Sequence, residues 1–327
     1  MGGEQARLGE FDLIRRYFSR IGGGRTDVVL GVGDDAALLR MPADAELAAA
    51  VDTLVAGRHF PAGSDARSIG YRALAVNLSD LAAMGATPAW ATLALTLPAP
   101  DPDWLERFSG GFAQLSNAYG VALVGGDTTA GPLTISVQVM GHVARGTALR
   151  RSGAHAGDLL AVTGTLGDAG AGLALATGSH TTGDGAVARE LLQRFEYPAP
   201  RVEFGAAARG IATGAMDLSD GLAGDLPKLA EASGLAAHVD VDRLPLSQAL
   251  QAFASPQQAR DWALCAGDDY ELLVAVPPHR YAELASLAAQ LDLRLTAVGE
   301  LRRGTGVSWA LHGGKFAPRA HGYDHFR

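Results

Sequence analysis

Near the start of the chain, Phe11, Ile14, Tyr17, Phe18 and Ile21 recur at helical spacing, and Gly22-Gly23-Gly24 closes the run. Short apolar runs at 28–32, 36–39 and 47–51 predict strands. From 65 to 84 the pattern is helical again, with Ile69, Leu74, Leu78 and Leu81 on the apolar face and Gly85 as the stop. A strand is predicted at 89–97 and is broken by Pro98, Pro100 and Pro102. A helix over 104–119 leads into a strand at 121–124. The cleanest alternation is Thr134-Ile135-Ser136-Val137-Gln138-Val139, the mark of a strand with one face buried.

A basic stretch punctuated by glycine runs from 145 to 157. The domain boundary is placed there, giving domains of 1–147 and 148–327. The second half restarts with a strand at 158–162, a glycine-rich turn and an apolar helix over 167–176. Residues 177–185 read as an exposed loop, and further strands are predicted near 236–241, 270–276 and 293–298. Strands and helices alternate in both halves, which predicts a mixed α+β fold of two domains, each a sheet covered by helices. A length of 327 residues, more than one core usually supports, agrees.

Composition narrows the partners. Lys and Arg total 27 against 35 Asp and Glu, a net charge of −8, so the basic face of a nucleic-acid binder is not expected. No run of about 18 uncharged apolar residues is present, so no membrane span is expected. The first seven residues lack the apolar run of a signal peptide, which makes the cytoplasm the default. One cysteine, Cys265, excludes a disulfide within the chain and argues against cysteine-based zinc sites.

The chemistry lies in the acidic residues. Asp recurs in turn-like contexts at Gly33-Asp34-Asp35, Val51-Asp52-Thr53, Asn77-Leu78-Ser79-Asp80, Gly125-Gly126-Asp127-Thr128-Thr129, Asp217-Leu218-Ser219-Asp220-Gly221 and Gly267-Asp268-Asp269. Asp beside Gly also suits ordinary turns, and Ser79, Asp80, Asp217 or Asp220 could be helix caps. Converging in one site, these carboxylates would repel and require cations. Oxygen ligands without His or Cys select Mg²⁺ or Ca²⁺ over zinc, and Mg²⁺ points to phosphate substrates. There is no P-loop and no protein-kinase signature. Residues 164–170 (Gly-Thr-Leu-Gly-Asp-Ala-Gly) open a helix after a strand; they either pack helix against strand or touch phosphate. Cys265 has no basic neighbour in sequence, and no nucleophile stands out.

Taken in order, these motifs resemble the thiamine-monophosphate kinases. The resemblance is carried by Gly9-Glu10-Phe11, Gly31-Val32-Gly33-Asp34-Asp35-Ala36-Ala37-Leu38, Asp52 through Phe60, and Ala75 through Ala86. It continues in Gly125 through Thr129, Asp217 through Leu222 and Gly322-Tyr323-Asp324-His325-Phe326, and so spans about residue 9 to residue 326.

The resemblance implies the aminoimidazole ribonucleotide synthetase-like fold, a homodimer formed by strand pairing of the N-terminal domain, and transfer of phosphate from ATP to thiamine monophosphate with several Mg²⁺. By motif position, Asp35, Asp52, Asp80, Asp127, Asp217 and Asp220 would be magnesium ligands, with Asp52, Asp80 and Asp127 supplying the electrostatics of catalysis and no residue acting as acid or base. Gly126, Asp127, Arg151 and Ser219 would hold ATP, and His59, Asp268 and Tyr323 would meet the thiamine phosphate. Two positions differ from the family pattern. Ala50 and Val51 stand where hydroxyl residues often precede Asp52, and Asp268 stands where the family has Glu. Selenophosphate synthetases carry a reactive Cys or selenocysteine near the N-terminus, and this chain does not. The alternatives left are another ATP-using enzyme of the superfamily and a non-catalytic magnesium–nucleotide-binding regulator.

Overall fold

The structure, a computed structural model, describes residues 9–323. Asp324, His325 and Phe326 of the C-terminal motif lie outside them, as do residues 1–7. The chain divides into two compact units, one of residues 1–77 with 88–142 and one of residues 78–87 with 143–327.

In the first unit a four-stranded sheet has the order β3-β6-β4-β5, where β3 is Ala45–Val55, β4 is Thr87–Leu97, β5 is Ala122–Ala130 and β6 is Thr134–Ala144. A two-stranded sheet pairs β1 (Val28–Leu30) with β2 (Leu38–Leu39). The predicted first helix is one α-turn, α1 (Glu10–Leu13), continued as a π-turn over Ile14–Phe18 that buries Tyr17 and Phe18. Helix α2 (Ala66–Ala83) falls within its predicted span, and α3 (Pro102–Tyr119) has Asp101 as N-cap, accepting the amides of Asp103 and Trp104. Helices α2 and α3 touch backbone to backbone: a Cβ at Gly70 would stand 2.0 Å from the Phe108 carbonyl oxygen, and one at Gly111 1.9 Å from that of Arg67. Trp90, Phe108, Phe112, Leu74, Leu95 and Ile135 fill the core.

Strand β5 is longer than its apolar run predicts. Gly125-Gly126-Asp127-Thr128-Thr129 continues the strand in parallel pairing with β4, Leu93 facing Gly126 and Ala94 facing Asp127. Cross-strand hydrogen bonds here override the poor strand propensity of Gly and Asp.

The second unit holds a seven-stranded sheet of order β13-β12-β9-β11-β7-β10-β8. Its strands are β7 (Leu159–Thr163), β8 (Gly214–Leu218), β9 (Leu235–Asp240), β10 (Glu271–Val276), β11 (Leu295–Arg303), β12 (Val307–Leu311) and β13 (Gly314–Phe316). Strands β8 and β10 are buried along their whole length, including Asp217 and Glu271, whose carboxyls are held by hydrogen bonds. Helices α4 (Asp168–Ala176), α5 (Gly185–Glu196), α6 (Val202–Ala208), α7 (Leu222–Ala232), α8 (Gln248–Phe253), α9 (Pro256–Cys265) and α10 (Tyr281–Gln290) complete the unit. Leu226 and Leu229 of α7 join Leu160, Val162, Met216, Leu273 and Val298 in one core. The short strand β8 and the hairpin of β12 and β13 escape the periodicity reading. The hairpin turns on His312 and Gly313, both at positive φ, a two-residue turn without the usual Asn-Gly or Asp-Gly signal.

Candidate functional site

In the first unit, residues 32–37, 92–93 and 123–128 line a cavity of about 570 Å³, with Phe11, Ile14 and Phe18 of the N-terminal helical segment. Asp34, Asp35 and Asp127 reach this cavity. Two of them accept the next amide in the chain: that of Asp35 donates to Asp34 Oδ1 (2.8 Å), and that of Thr128, within β5, to Asp127 Oδ1 (2.9 Å). All three carboxylates are exposed, and among the described residues none has a Lys or Arg partner. Gly126 stands at φ 149°, and a Cβ there would lie 1.9 Å from the Leu93 carbonyl oxygen. Only glycine lets the strand run this close to β4.

Asp52 is fixed elsewhere in this unit. Its amide donates to Asn77 Oδ1 (2.9 Å), and the buried Asn77 in turn donates to the Ala73 carbonyl (2.9 Å). His59 sits in the turn after β3, where Nδ1 accepts the Val55 amide (2.9 Å). That bond assigns the proton of the neutral ring to Nε2, which leaves Nε2 as a donor.

In the second unit Asp80 occupies the last turn of α2 and Ser79 is fully buried. Neither is an N-cap, and an acid at a helix C-terminus opposes the helix dipole. Ser79 Oγ donates to Asp217 Oδ2 (2.9 Å) from β8, so the two motifs Asn-Leu-Ser-Asp and Asp-Leu-Ser-Asp-Gly meet. Nor do Asp217 and Asp220 cap α7, whose N-cap Gly221 makes no side-chain bond. Asp220 Oδ2 accepts from Lys228 Nζ (2.6 Å), which also donates to the buried Asp225 (2.9 Å). Burial is the largest influence on both partners. It raises the Asp225 carboxyl against the pull of Lys228, while in Lys228 the two carboxylates outweigh it and raise the ammonium.

The segment 267–270 packs on the loop after β8. The amide of Asp268 donates to the Ser219 carbonyl and that of Tyr270 to the Leu218 carbonyl, each at 2.9 Å. The Tyr323 amide donates to the Asp220 carbonyl (3.2 Å). Ser219, Asp220, Asp268 and Tyr323 are thus neighbours through their main chains. Arg151, in a single 3₁₀ turn, is exposed. The glycine-rich start of α4 is already occupied: the amide of Gly167 donates to Asp269 Oδ2 (2.8 Å), so the chain's own carboxyl takes the place a phosphate would. Cys265 is half-buried, with its thiol pushed up by burial and donating to the Ala320 carbonyl (3.3 Å).

Among the described residues no three His, Cys, Asp or Glu side chains already stand together as a metal cage. The donor chemistry nonetheless suits Mg²⁺, because the exposed carboxylates beside the cavity are hard oxygen ligands. The sequence reading missed Asn77, Asp225 and Lys228. Asn77 stood inside a quoted motif, whereas nothing in the sequence announces the Lys228 pair.

Comparison with known proteins follows this division of the chain. The family model for the AIR synthase related protein N-terminal domain matches residues 33–143, and that for the C-terminal domain matches residues 155–310. The thiamine-monophosphate kinase of Salmonella typhimurium is 47% identical over 319 residues, 97% of this chain and 98% of the relative. That of Bacillus subtilis is 34% identical over 307 residues, 91% of this chain and 93% of the relative. The crystal structure of the enzyme from Stenotrophomonas maltophilia superposes with a TM-score of 0.84 at 48% identity, covering 89% of this chain and 93% of that one. AaThiL complexed with AMPPCP and TMP gives 0.77 at 31% identity, covering 88% and 89%.

Proposed function

The chain belongs to the thiamine-monophosphate kinase family, and from that membership we propose that it transfers the γ-phosphate of ATP to thiamine monophosphate, giving thiamine diphosphate and ADP. The observation that carries the reading is the cavity of the first unit, where Asp35, Asp127 and the backbone at Gly126 offer a nucleotide–magnesium site.

The acceptor is itself a phosphate monoester, largely dianionic near neutral pH, so it needs no general base. What opposes the reaction is charge, since one polyanion attacks another. The work of the chain is then alignment in line and electrostatic shielding, with no phosphoenzyme. Asp35, Asp52, Asp80, Asp127, Asp217 and Asp220 are the proposed magnesium ligands. When bound, Mg²⁺ would offset the charge gathering between donor and acceptor. Gly126, Arg151 and Ser219 would grip ATP, and His59, Asp268 and Tyr323 the acceptor. Residues 1–147 would carry nucleotide, magnesium and the dimer contact, and residues 148–327 would complete the cleft.

For the dimer, β3 is an edge strand whose Leu47 and Val51 are 53% and 62% exposed, apolar surface that a two-fold strand pairing would cover. No described helix is long and apolar enough to cross a membrane.

The test mixes the protein with ATP, Mg²⁺ and thiamine monophosphate and measures thiamine diphosphate by chromatography. Product that depends on all three, with free thiamine unused, is the expected result. Tight magnesium–nucleotide binding without turnover would replace the kinase with a regulatory binding protein.

A further inference from the structure

We propose that Glu271, held by Arg194, Arg201 and Thr163, is a positioning residue for the acceptor: it sets from behind the turn that presents Asp268. The inference rests on the assignment of Asp268 to the thiamine phosphate site. The turn is unusual in its backbone. Gly267, Asp268 and Tyr270 stand at φ 74°, 63° and 49°, a left-handed conformation that side chains with a Cβ resist. Such a turn persists only where its surroundings over-determine it.

The side chains alternate. Asp268 and Tyr270 pair on one side, the Tyr270 hydroxyl donating to Asp268 Oδ1 (3.3 Å). Asp269 and Glu271 point the other way and serve as anchors. Asp269 takes the Gly167 amide at the head of α4. Glu271, with no exposure at all, takes Thr163 Oγ1 (2.7 Å), Arg194 Nη2 (2.7 Å), Arg201 Nε (2.6 Å) and Arg201 Nη2 (2.5 Å). Thr163 Oγ1 also accepts the Leu272 amide (2.8 Å), so the network grips the main chain that follows the turn.

A buried carboxylate with two guanidinium partners is a poor source of stability, because desolvation offsets most of the attraction and an apolar side chain would serve as well. What it does supply is direction: two forked donors and a hydroxyl accept one orientation of Glu271 and hence one path for the turn. An anionic Asp268 suits the cationic organic half of the acceptor and not its phosphate. The consequence should therefore fall on acceptor binding, leaving ATP binding alone.

The experiment compares wild type with Glu271→Gln, which keeps the shape and removes the charge, and with the pair Thr163→Val and Thr163→Ser. Steady-state kinetics are run against each substrate, and binding of thiamine monophosphate is measured by calorimetry. Wild type is checked first for thiamine diphosphate formation. If it makes none, the functional reading and this inference fall together. If it does, Glu271→Gln should raise KM for thiamine monophosphate about tenfold, with KM for ATP within about twofold. Thr163→Val should move the same constant in the same direction, and Thr163→Ser, which keeps the hydroxyl, should restore it. Should Glu271→Gln not fold, the Thr163 pair decides alone. Unchanged acceptor KM and affinity in folded variants, or both KM values shifting together, would overturn the positioning role while leaving the kinase reading intact.

Discussion

The tripeptide Gly-Asp-Asp occurs twice, at 33–35 and at 267–269, and the two copies meet opposite fates. In the first, Asp34 and Asp35 are exposed beside a cavity, and their turn is closed only by the amide of Asp35 donating to Asp34. In the second, Asp269 is 7% exposed and caps α4, two residues before a fully buried Glu271 held by two arginines. The contrast extends to carboxylates around them. The carboxylates Asp34, Asp35 and Asp127 of the first unit have no Lys or Arg partner among the described residues, whereas Asp220, Asp225 and Glu271 of the second have cationic partners. An unneutralised exposed carboxylate is available to a cation from solution; a neutralised one spends its charge inside the fold.

Substitutions can break that comparison. The largest effect is expected at Asp127→Asn, for which kcat should fall about a hundredfold, as for loss of a metal-held charge worth several kcal/mol. Melting in metal-free buffer should be unchanged or slightly higher, because one of several like charges is gone. Turnover near normal would show that this carboxylate serves only the local structure of β5.

Glu271→Ala should behave in the opposite way. It leaves Arg201 without its counter-charge and Arg194 with only the more distant Asp168, and with those arginines partly solvated the cost should be about 2 kcal/mol in urea unfolding, with or without Mg²⁺. A stability change below about 0.5 kcal/mol would contradict the paired character of the second unit.

The pH dependence gives the same contrast inside one segment. Burial pushes Glu271 up, but Arg201, Arg194 and Thr163 outweigh it and hold the carboxyl below its ordinary 4.5. Its contribution to stability is therefore present above pH 4.5 and lost as pH falls through the lower folded value. Asp269 is raised well above 3.8 by burial, with the Gly167 amide opposing. Its contribution is present below 3.8 and lost as pH rises through the folded value. Asp269→Asn should thus lie within about 1 kcal/mol of wild type at pH 8 and compare less favourably at pH 4. Thermal melts at the two pH values check the sign. The smallest effect is expected at Cys265→Ser, where kcat should stay within about twofold because burial raises the thiol and keeps it from acting as a thiolate.

Much of this was legible in the sequence. Helix α3 and strand β6 follow directly from apolar periodicity, because burying one face is what selects those residues, whereas α2, buried almost all round, is marked by its apolar run and its glycine stop. The chemistry-bearing positions also stand out, since Gly-Asp turns are local and their spacing survives folding. The extension of β5 through Gly125-Gly126-Asp127 was not legible, nor was the hairpin that adds β12 and β13, because strand pairing depends on partners far along the chain.

The sequence by itself determined which carboxylates exist and that their turns are glycine-rich, and its full-length pattern of motifs pointed to the family. Only the tertiary structure decided which of them keep a charge for a ligand. Lys228 reaches Asp220 across eight positions, Arg201 reaches Glu271 across 70, and Asp269 reaches Gly167 across 102. Neutralisation acts over a few ångströms of space, and the chain order of two copies of Gly-Asp-Asp carries no record of which cation or amide will stand within that distance.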